Sequence, residues 1–198
     1  MEKGSDFNMV SKIKAVLIIA LVCVLLCGCV NPNIAEDMQK NSVVIFSGDS
    51  IGSGFFIASG VILTASHVVG ETATIEMSDL SRYEMVDVLY RNAELDYAII
   101  SIDRHTTFVK TSKKLKTGDK VFTYSAPIGV RDIMTEGIVS NGSKIIDGKE
   151  LFMFTAPISA GSSGGAVINQ NGKVIGVIIS IMDGHDMNIA IPMDKIIW

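Results

Sequence analysis

Three short segments carry side chains able to do nucleophilic chemistry. His67 follows Thr64-Ala65-Ser66, Asp96 opens the run Asp96-Tyr97-Ala98-Ile99-Ile100, and Ser163 lies within Gly161-Ser162-Ser163-Gly164-Gly165. A histidine can take the proton of a serine hydroxyl and return it to a leaving group, provided a carboxylate holds its Nδ1–H and leaves Nε2 as the base. Asp96 suits that part, because an aspartate at the mouth of an apolar strand is costly to bury without a partner. Glu94 and Asp87 are the neighbouring alternatives. Glu94 falls in the preceding loop and Asp87 within an alternating strand, so Asp96 is favoured. Gly161 lets the backbone turn so that its N–H and that of Ser163 converge on one point, an oxyanion hole for a tetrahedral intermediate. As a bare string, Gly-Ser-Ser-Gly-Gly could be a linker. Its flanks, Phe152–Ile158 and Ala166–Ile168, are apolar, which a linker's would not be. A lone histidine at a strand end is ordinarily structural; the acid and the serine in matching surroundings reverse that reading.

The elements that must position these residues read as strands. From Val43 onward, short β-branched and aromatic runs alternate with Gly, Asn and Asp about every ten residues, the pattern of an all-β barrel or sandwich. The runs are Val43–Ser47, Gly54–Ala58, Val61–Thr64, Thr72–Met77, Glu84–Arg91 and Ala98–Ile102, then Lys120–Tyr124, Ile133–Ser140, Leu151–Thr155, Gly165–Ile168, Val174–Ile181 and Met187–Ile191. The polar stretch Lys110 to Asp119 divides them into two sets. The expected fold is all-β: two six-stranded antiparallel β-barrels, about 43–109 and about 118–192, with the active site in the cleft between them. His67 and Asp96 fall in the first half and Ser163 in the second. Asn171-Gly172 marks a hairpin turn, and Asn141-Gly142 and Asp147-Gly148 are expected to bracket another.

Residues 1–29 read as an export signal: Lys12 and Lys14 precede an apolar run that leads to Leu26-Cys27-Gly28-Cys29. The chain is uncharged from Ala15 to Val30, short of the roughly 20 residues that cross a bilayer. Leu26-Cys27-Gly28-Cys29 resembles a lipobox, which implies lipid attachment at Cys29 and a membrane anchor; a plain signal peptide or a tight anchor is the alternative. The protein is expected to be exported, and held at the cell membrane on the periplasmic or extracellular side or, without lipid, secreted. Residues 30–42 are polar and read as a tether, able to end in a helical turn, ahead of a domain over 43–198.

All three cysteines, Cys23, Cys27 and Cys29, lie in the signal, so the domain can form no internal disulfide and must rest on core burial. Roughly 155 residues suffice for that. The formal charge is −4, and no Lys/Arg run follows the signal, which argues against nucleic acid as a partner. His185 within Asp183-Gly184-His185-Asp186 could suggest a metal, but crowded ligands without a distant partner favour a solvated loop. His105 reads as a surface residue, and no metal is expected.

These motifs resemble the trypsin-like serine endopeptidases, and within them the bacterial HtrA-like branch, from Val43 to the end of the sequence. Gly52-Ser53-Gly54-Phe55-Phe56-Ile57 is similar to the family's opening hairpin, Asp96 to Ile100 to its acid strand, and Gly172–Val177 with Ala190-Ile191-Pro192 to its closing strands. The resemblance implies a chymotrypsin-like double barrel, peptide-bond hydrolysis through an acyl-enzyme, and no metal or organic cofactor. It also implies that Thr155–Ala160 and Val177–Ser180 wall the pocket for the side chain before the scissile bond. Ile158, Ile178 and Ile179 there carry no charge, so a small or medium apolar side chain is expected, and the backbone of Ile178–Ser180 would pair with an extended polypeptide substrate. Ser162 stands where Asn or Asp is common, which argues against maturation by an N-terminal ion pair, and Ala166 replaces a common Pro. The sequence runs only to Trp198, so the PDZ domain of many relatives is not expected. A catalytically silent peptide-binding module and an esterase using the same triad are the competing readings. The oligomeric state is not legible.

Overall fold

The computed structural model describes residues 34–84, 87–182 and 187–198, without the side chains of Ser180 and Met182. Cys29, residues 1–33 and the 183–186 tetrad therefore lie outside the described residues. Among the described residues, one α-helix, α1 (Ile34–Asn41), precedes thirteen strands. Strands β1 (Ser42–Ser47), β2 (Ser50–Ala58), β3 (Val61–Ala65), β4 (Thr74–Glu76), β5 (Arg82–Glu84), β6 (Asp87–Asn92) and β7 (Tyr97–Ser101) form the first half. Strands β8 (Lys120–Ser125), β9 (Ile133–Ile146), β10 (Lys149–Phe154), β11 (Ala166–Asn169), β12 (Val174–Met182) and β13 (Met187–Pro192) form the second.

The second half is a closed six-stranded barrel, in the order β10-β13-β12-β11-β8-β9, and every described pairing in it is antiparallel. The first half differs from the expected six strands. It is a seven-stranded sheet, β5-β4-β1-β2-β3-β7-β6, curled as a half-barrel. The run expected as one strand over Glu84–Arg91 is two: β5 turns back on β4 through the bonds Met77 N–H to Ser81 O and Leu80 N–H to Met77 O, while β6 pairs with β7.

Alternation along the strands explains why the sequence shows continuous apolar runs rather than a simple in-out pattern. Side chains on successive residues point to opposite faces, and here both faces are buried. Phe56, Ile62, Ala98 and Ile100 fill the core of the first half, while their neighbours Phe55, Leu63, Tyr97 and Ile99 join a second core that also takes Phe122, Tyr124, Val177 and Ile191 from the other barrel. That shared core is what fixes one half against the other. The interior of the second barrel is filled by Val121, Phe152, Phe154, Val167 and Ile178 among others.

Residues 34–41, read as part of a tether, are instead docked: Ile34 and Met38 are buried in the shared core, and Thr107 Oγ1 donates to Asn41 Oδ1 at 2.7 Å. Asn171-Gly172 forms its turn, with Gly172 N–H on Asn169 O at 3.0 Å, and Asp147-Gly148 joins β9 to β10, both with positive φ. Asn141-Gly142 does not turn. It lies inside β9, where Gly142 N–H is held by Thr117 Oγ1 at 2.9 Å, so the hairpin is longer than expected. None of the described helices is long and apolar enough to cross a membrane.

Candidate active site

His67 sits in a tight 3-10 turn, Ser66–Val68, at the end of β3. Val68 and Val69 plug this turn into the first core, leaving the imidazole facing out. Asp96 closes the turn between β6 and β7 and adopts φ +67°, a left-handed conformation that costs energy for an aspartate and is kept only where its surroundings over-determine it. The surroundings do so. Asp96 Oδ2 receives His67 Nδ1 at 2.6 Å, Oδ1 accepts the His67 backbone N–H at 3.0 Å, and the Asp96 carbonyl accepts Ser66 N–H at 3.0 Å. One carboxylate thus fixes both the ring and the backbone of the histidine. The hydrogen bond to Asp96 raises the His67 pKa, against the opposing effect of burial, and the negative charge of Asp96 adds to the rise. Glu94 and Asp87 are exposed, which leaves Asp96 as the acid that the fold brings to His67.

The nucleophile's segment is built with small residues because nothing larger fits. Gly164 has φ +83°, and a Cβ there would lie 2.1 Å from Ser53 O and 2.2 Å from Thr64 Oγ1. Gly164 N–H donates to Ile178 O at 2.7 Å and Ile178 N–H to Gly165 O at 2.9 Å, so β12 holds this side of the loop. Among the described residues, the backbone N–H groups of Gly161 and Ser163 donate to no protein acceptor, the condition an oxyanion hole requires. Ser163 is half-buried, and its Oγ lies 3.5 Å from Ile179 O, the outer limit of hydrogen bonding.

Several residues that sequence reasoning passed over complete the site. Ser53 is 2% exposed and crosses between the halves: its N–H donates to Ser163 O at 2.8 Å, its Oγ donates to Gly161 O at 2.8 Å, and that same oxygen accepts Ala126 N–H at 2.9 Å. Thr64 Oγ1 in turn holds Ser53 O at 2.7 Å. Arg91 clamps the histidine turn through Ser66 O at 3.1 Å and Val69 O at 2.8 Å. The one hint in the sequence was the Gly-Ser-Gly cluster around Ser53, unusual inside a strand. Ser162, which stands where an acid is common, is buried against Ser125, with Ser125 Oγ to Ser162 Oγ at 3.1 Å.

The expected pocket residues divide. Ile178 is fully buried inside the second barrel, and its N–H and C=O are taken by Gly165 and Gly164, so its side chain does not reach the cleft. Beyond it, β12 slips against β13 between Ile178 and Ser180, so the strand changes register just after Ile178. Ile158 is half-buried against the same barrel's core, and Ile179 is half-buried between the two cores. The side chain of Ser180 lies outside the described residues. His105 is an exposed residue near Ser59, and no group of metal-binding side chains occurs among the described residues.

Residues 52–177 match the model of the trypsin-like peptidase domain. The chain belongs to this family. Within it, the chain is 32% identical to putative protease Do-like 14 of Arabidopsis thaliana over 77% of its own length and 41% of the relative's, and 31% identical to the periplasmic serine endoprotease DegP of Salmonella typhimurium over 74% and 34%. The chain thus spans about two fifths or less of the length of these two relatives. The family's fold is matched as well: the HtrA-type protease AlgW, solved with a tripeptide, superposes with a TM-score of 0.76 at 23% identity, covering 82% of this chain and 59% of that one.

Proposed function

We propose that the chain is a serine endopeptidase that hydrolyses peptide bonds of exported proteins through an acyl-enzyme, with His67, Asp96 and Ser163 as its triad. The observation that carries this reading is the doubly bonded His67–Asp96 pair, together with a serine, Ser163, whose own N–H and that of Gly161 donate to no protein acceptor among the described residues. Asp96 orients the imidazole and stabilises its protonated form. In this scheme His67 Nε2 removes the proton of Ser163 Oγ as the oxygen attacks the scissile carbonyl. Gly161 and Ser163 N–H receive the developing oxyanion. His67 then gives the proton to the leaving amine, and a water repeats the sequence on the acyl group. No metal or organic cofactor enters the scheme.

The substrate binds as an extended strand. Because the Ile178 backbone is occupied, the edge it meets begins at Ile179 and continues through Ser180, with Ile158 and Ile179 as apolar neighbours of the side chain before the scissile bond. Lipidation at Cys29 would hold the domain at a membrane outside the cytoplasm, in keeping with the periplasmic relatives. Labelling of residues 30–198 by a fluorophosphonate probe, with Ser163→Ala and His67→Ala as controls, tests the triad. Labelling that needs both residues supports the enzyme; a folded but inert domain supports a peptide-binding module. Hydrolysis of a simple ester with a peptide amide left intact would make it an esterase.

A further inference from the structure

We propose that Arg131 is a positioning residue for the oxyanion hole, acting through the segment Ala126–Asp132; the inference rests on the serine endopeptidase reading above. The N–H of Gly161 belongs to the Ala160–Gly161 peptide. In a planar trans peptide the C=O and N–H point in opposite directions, so whatever holds the carbonyl aims the donor. Here the Ala160 carbonyl accepts Ile128 N–H at 2.8 Å. A Cβ on Gly161 would come 2.6 Å from the Ile128 nitrogen, so the two backbones are in direct contact. Ile128 is therefore the group that sets which way the Gly161 donor faces.

Ile128 does not hold itself in place. Its φ is +54° and that of Asp132 is +61°, left-handed values that disfavour both residue types, and the Ile128 and Val130 side chains are 76% and 57% exposed. Burial of these side chains cannot fix the segment; polar ties must. Near one end, Ala126 N–H is bonded to Ser53 Oγ. At the other, Tyr124 O–H donates to Asp132 Oδ1 at 2.7 Å, a tie to β8 of the same barrel, and Gln39 Nε2 donates to Asp132 Oδ2 at 3.2 Å. Arg131 makes the charged tie to the opposite half. Its guanidinium pairs with Glu76 Oε1 on β4 at 2.6 Å and also donates to Met77 O, with both charged side chains largely shielded at 17% and 12% exposure. Glu76 is itself held by Arg82 at 2.6 Å. The forked guanidinium can reach a carboxylate and a carbonyl together, which a lysine cannot do with the same geometry.

The strut is tested by comparing the wild type with Arg131→Ala, Arg131→Lys and Glu76→Gln. The readings are fluorophosphonate labelling rate, kcat and KM on a peptide amide, thermal melting, and hydrogen exchange at the Ile128 amide. Loss of one oxyanion donor typically costs on the order of 100- to 1,000-fold, so loosening it should lower kcat and labelling about tenfold or more. KM should stay within about twofold, and the pH midpoint should not move, since His67 and Asp96 are untouched. Ile128 should exchange faster, Arg131→Lys should restore part of the rate, and Glu76→Gln should mimic Arg131→Ala, which covers the case in which one variant fails to fold. Wild-type labelling in a folded Arg131→Ala protein would overturn the proposal. An inert wild type would instead remove the endopeptidase reading; unchanged Ile128 exchange in the variants would then overturn the strut on its own.

Discussion

The residues proposed as base and nucleophile are held by opposite strategies. On the first half, side chain and backbone of His67 are both bonded to Asp96, and Arg91 grips the turn from behind. On the second, the backbone around Ser163 is clamped by Ser53, Ile178 and the close fit at Gly164, but among the described residues the hydroxyl itself has one hydrogen-bond contact, at 3.5 Å. The His67–Asp96 pair is thus assembled in advance, while the serine is fixed through its backbone and its hydroxyl only loosely held among the described residues. The difference follows from the chemistry: the imidazole must keep one tautomer throughout, whereas the hydroxyl must swing between its proton acceptor and the substrate carbon.

The most severe way to break this comparison is to remove one partner from each side. Ser163→Ala and His67→Ala should each lower amide hydrolysis by about 10,000- to 1,000,000-fold, read by single-turnover kinetics. Equal losses mean that the two halves act as one unit. Asp96→Asn comes next, with an expected loss of about 10,000-fold in kcat because the wrong tautomer is held.

The same pair sets the pH behaviour. Wild-type activity should fall as pH drops through a midpoint above the ordinary 6.5 of histidine, since Asp96 raises the His67 pKa, and Asp96→Asn should move that midpoint downward. The stability effect has the opposite sense. A group whose pKa is raised by folding adds stability that is complete below about pH 6.5 and is lost as pH rises through the folded value. Melting temperatures of wild type and Asp96→Asn, measured from pH 5 to 9, should therefore differ most at the acid end.

Two smaller changes sharpen the picture of the nucleophile's side. Gly164→Ala places a methyl group within 2.1 Å of Ser53 O at φ +83°; it should cost about 3 kcal/mol in denaturant titration and displace the serine. Ser162→Ala removes the buried partner of Ser125 and should cost about 1 kcal/mol, with activity nearly kept.

The candidate site residues were easier to pick out in the sequence than the connections. His67, Asp96 and Ser163 each sit in a local pattern that could be read directly, and the strands of the closed barrel follow from alternation and turn residues. What escaped depends on residues far apart in the chain. Ser53 bonds Gly161 across 108 positions and Arg131 bonds Glu76 across 55, and no local period announces either. That the Ile178 side chain is buried within the second barrel depends on its pairing with β13 and β11, which no local pattern shows. The α1 helix looked like spacer because its apolar content is only Ile34, Ala35 and Met38, and two of those suffice to anchor it.

If Cys29 carries lipid as proposed, that docked helix would also set a leash length. With Ile34 sunk in the core, only residues 30–33 would separate it from a lipid carried on Cys29, five residue steps that reach at most about 18 Å when fully extended. An enzyme on so short a leash could not sweep the space around the cell; it would work in the thin layer just above the bilayer, meeting polypeptides that emerge from the membrane or lie along it.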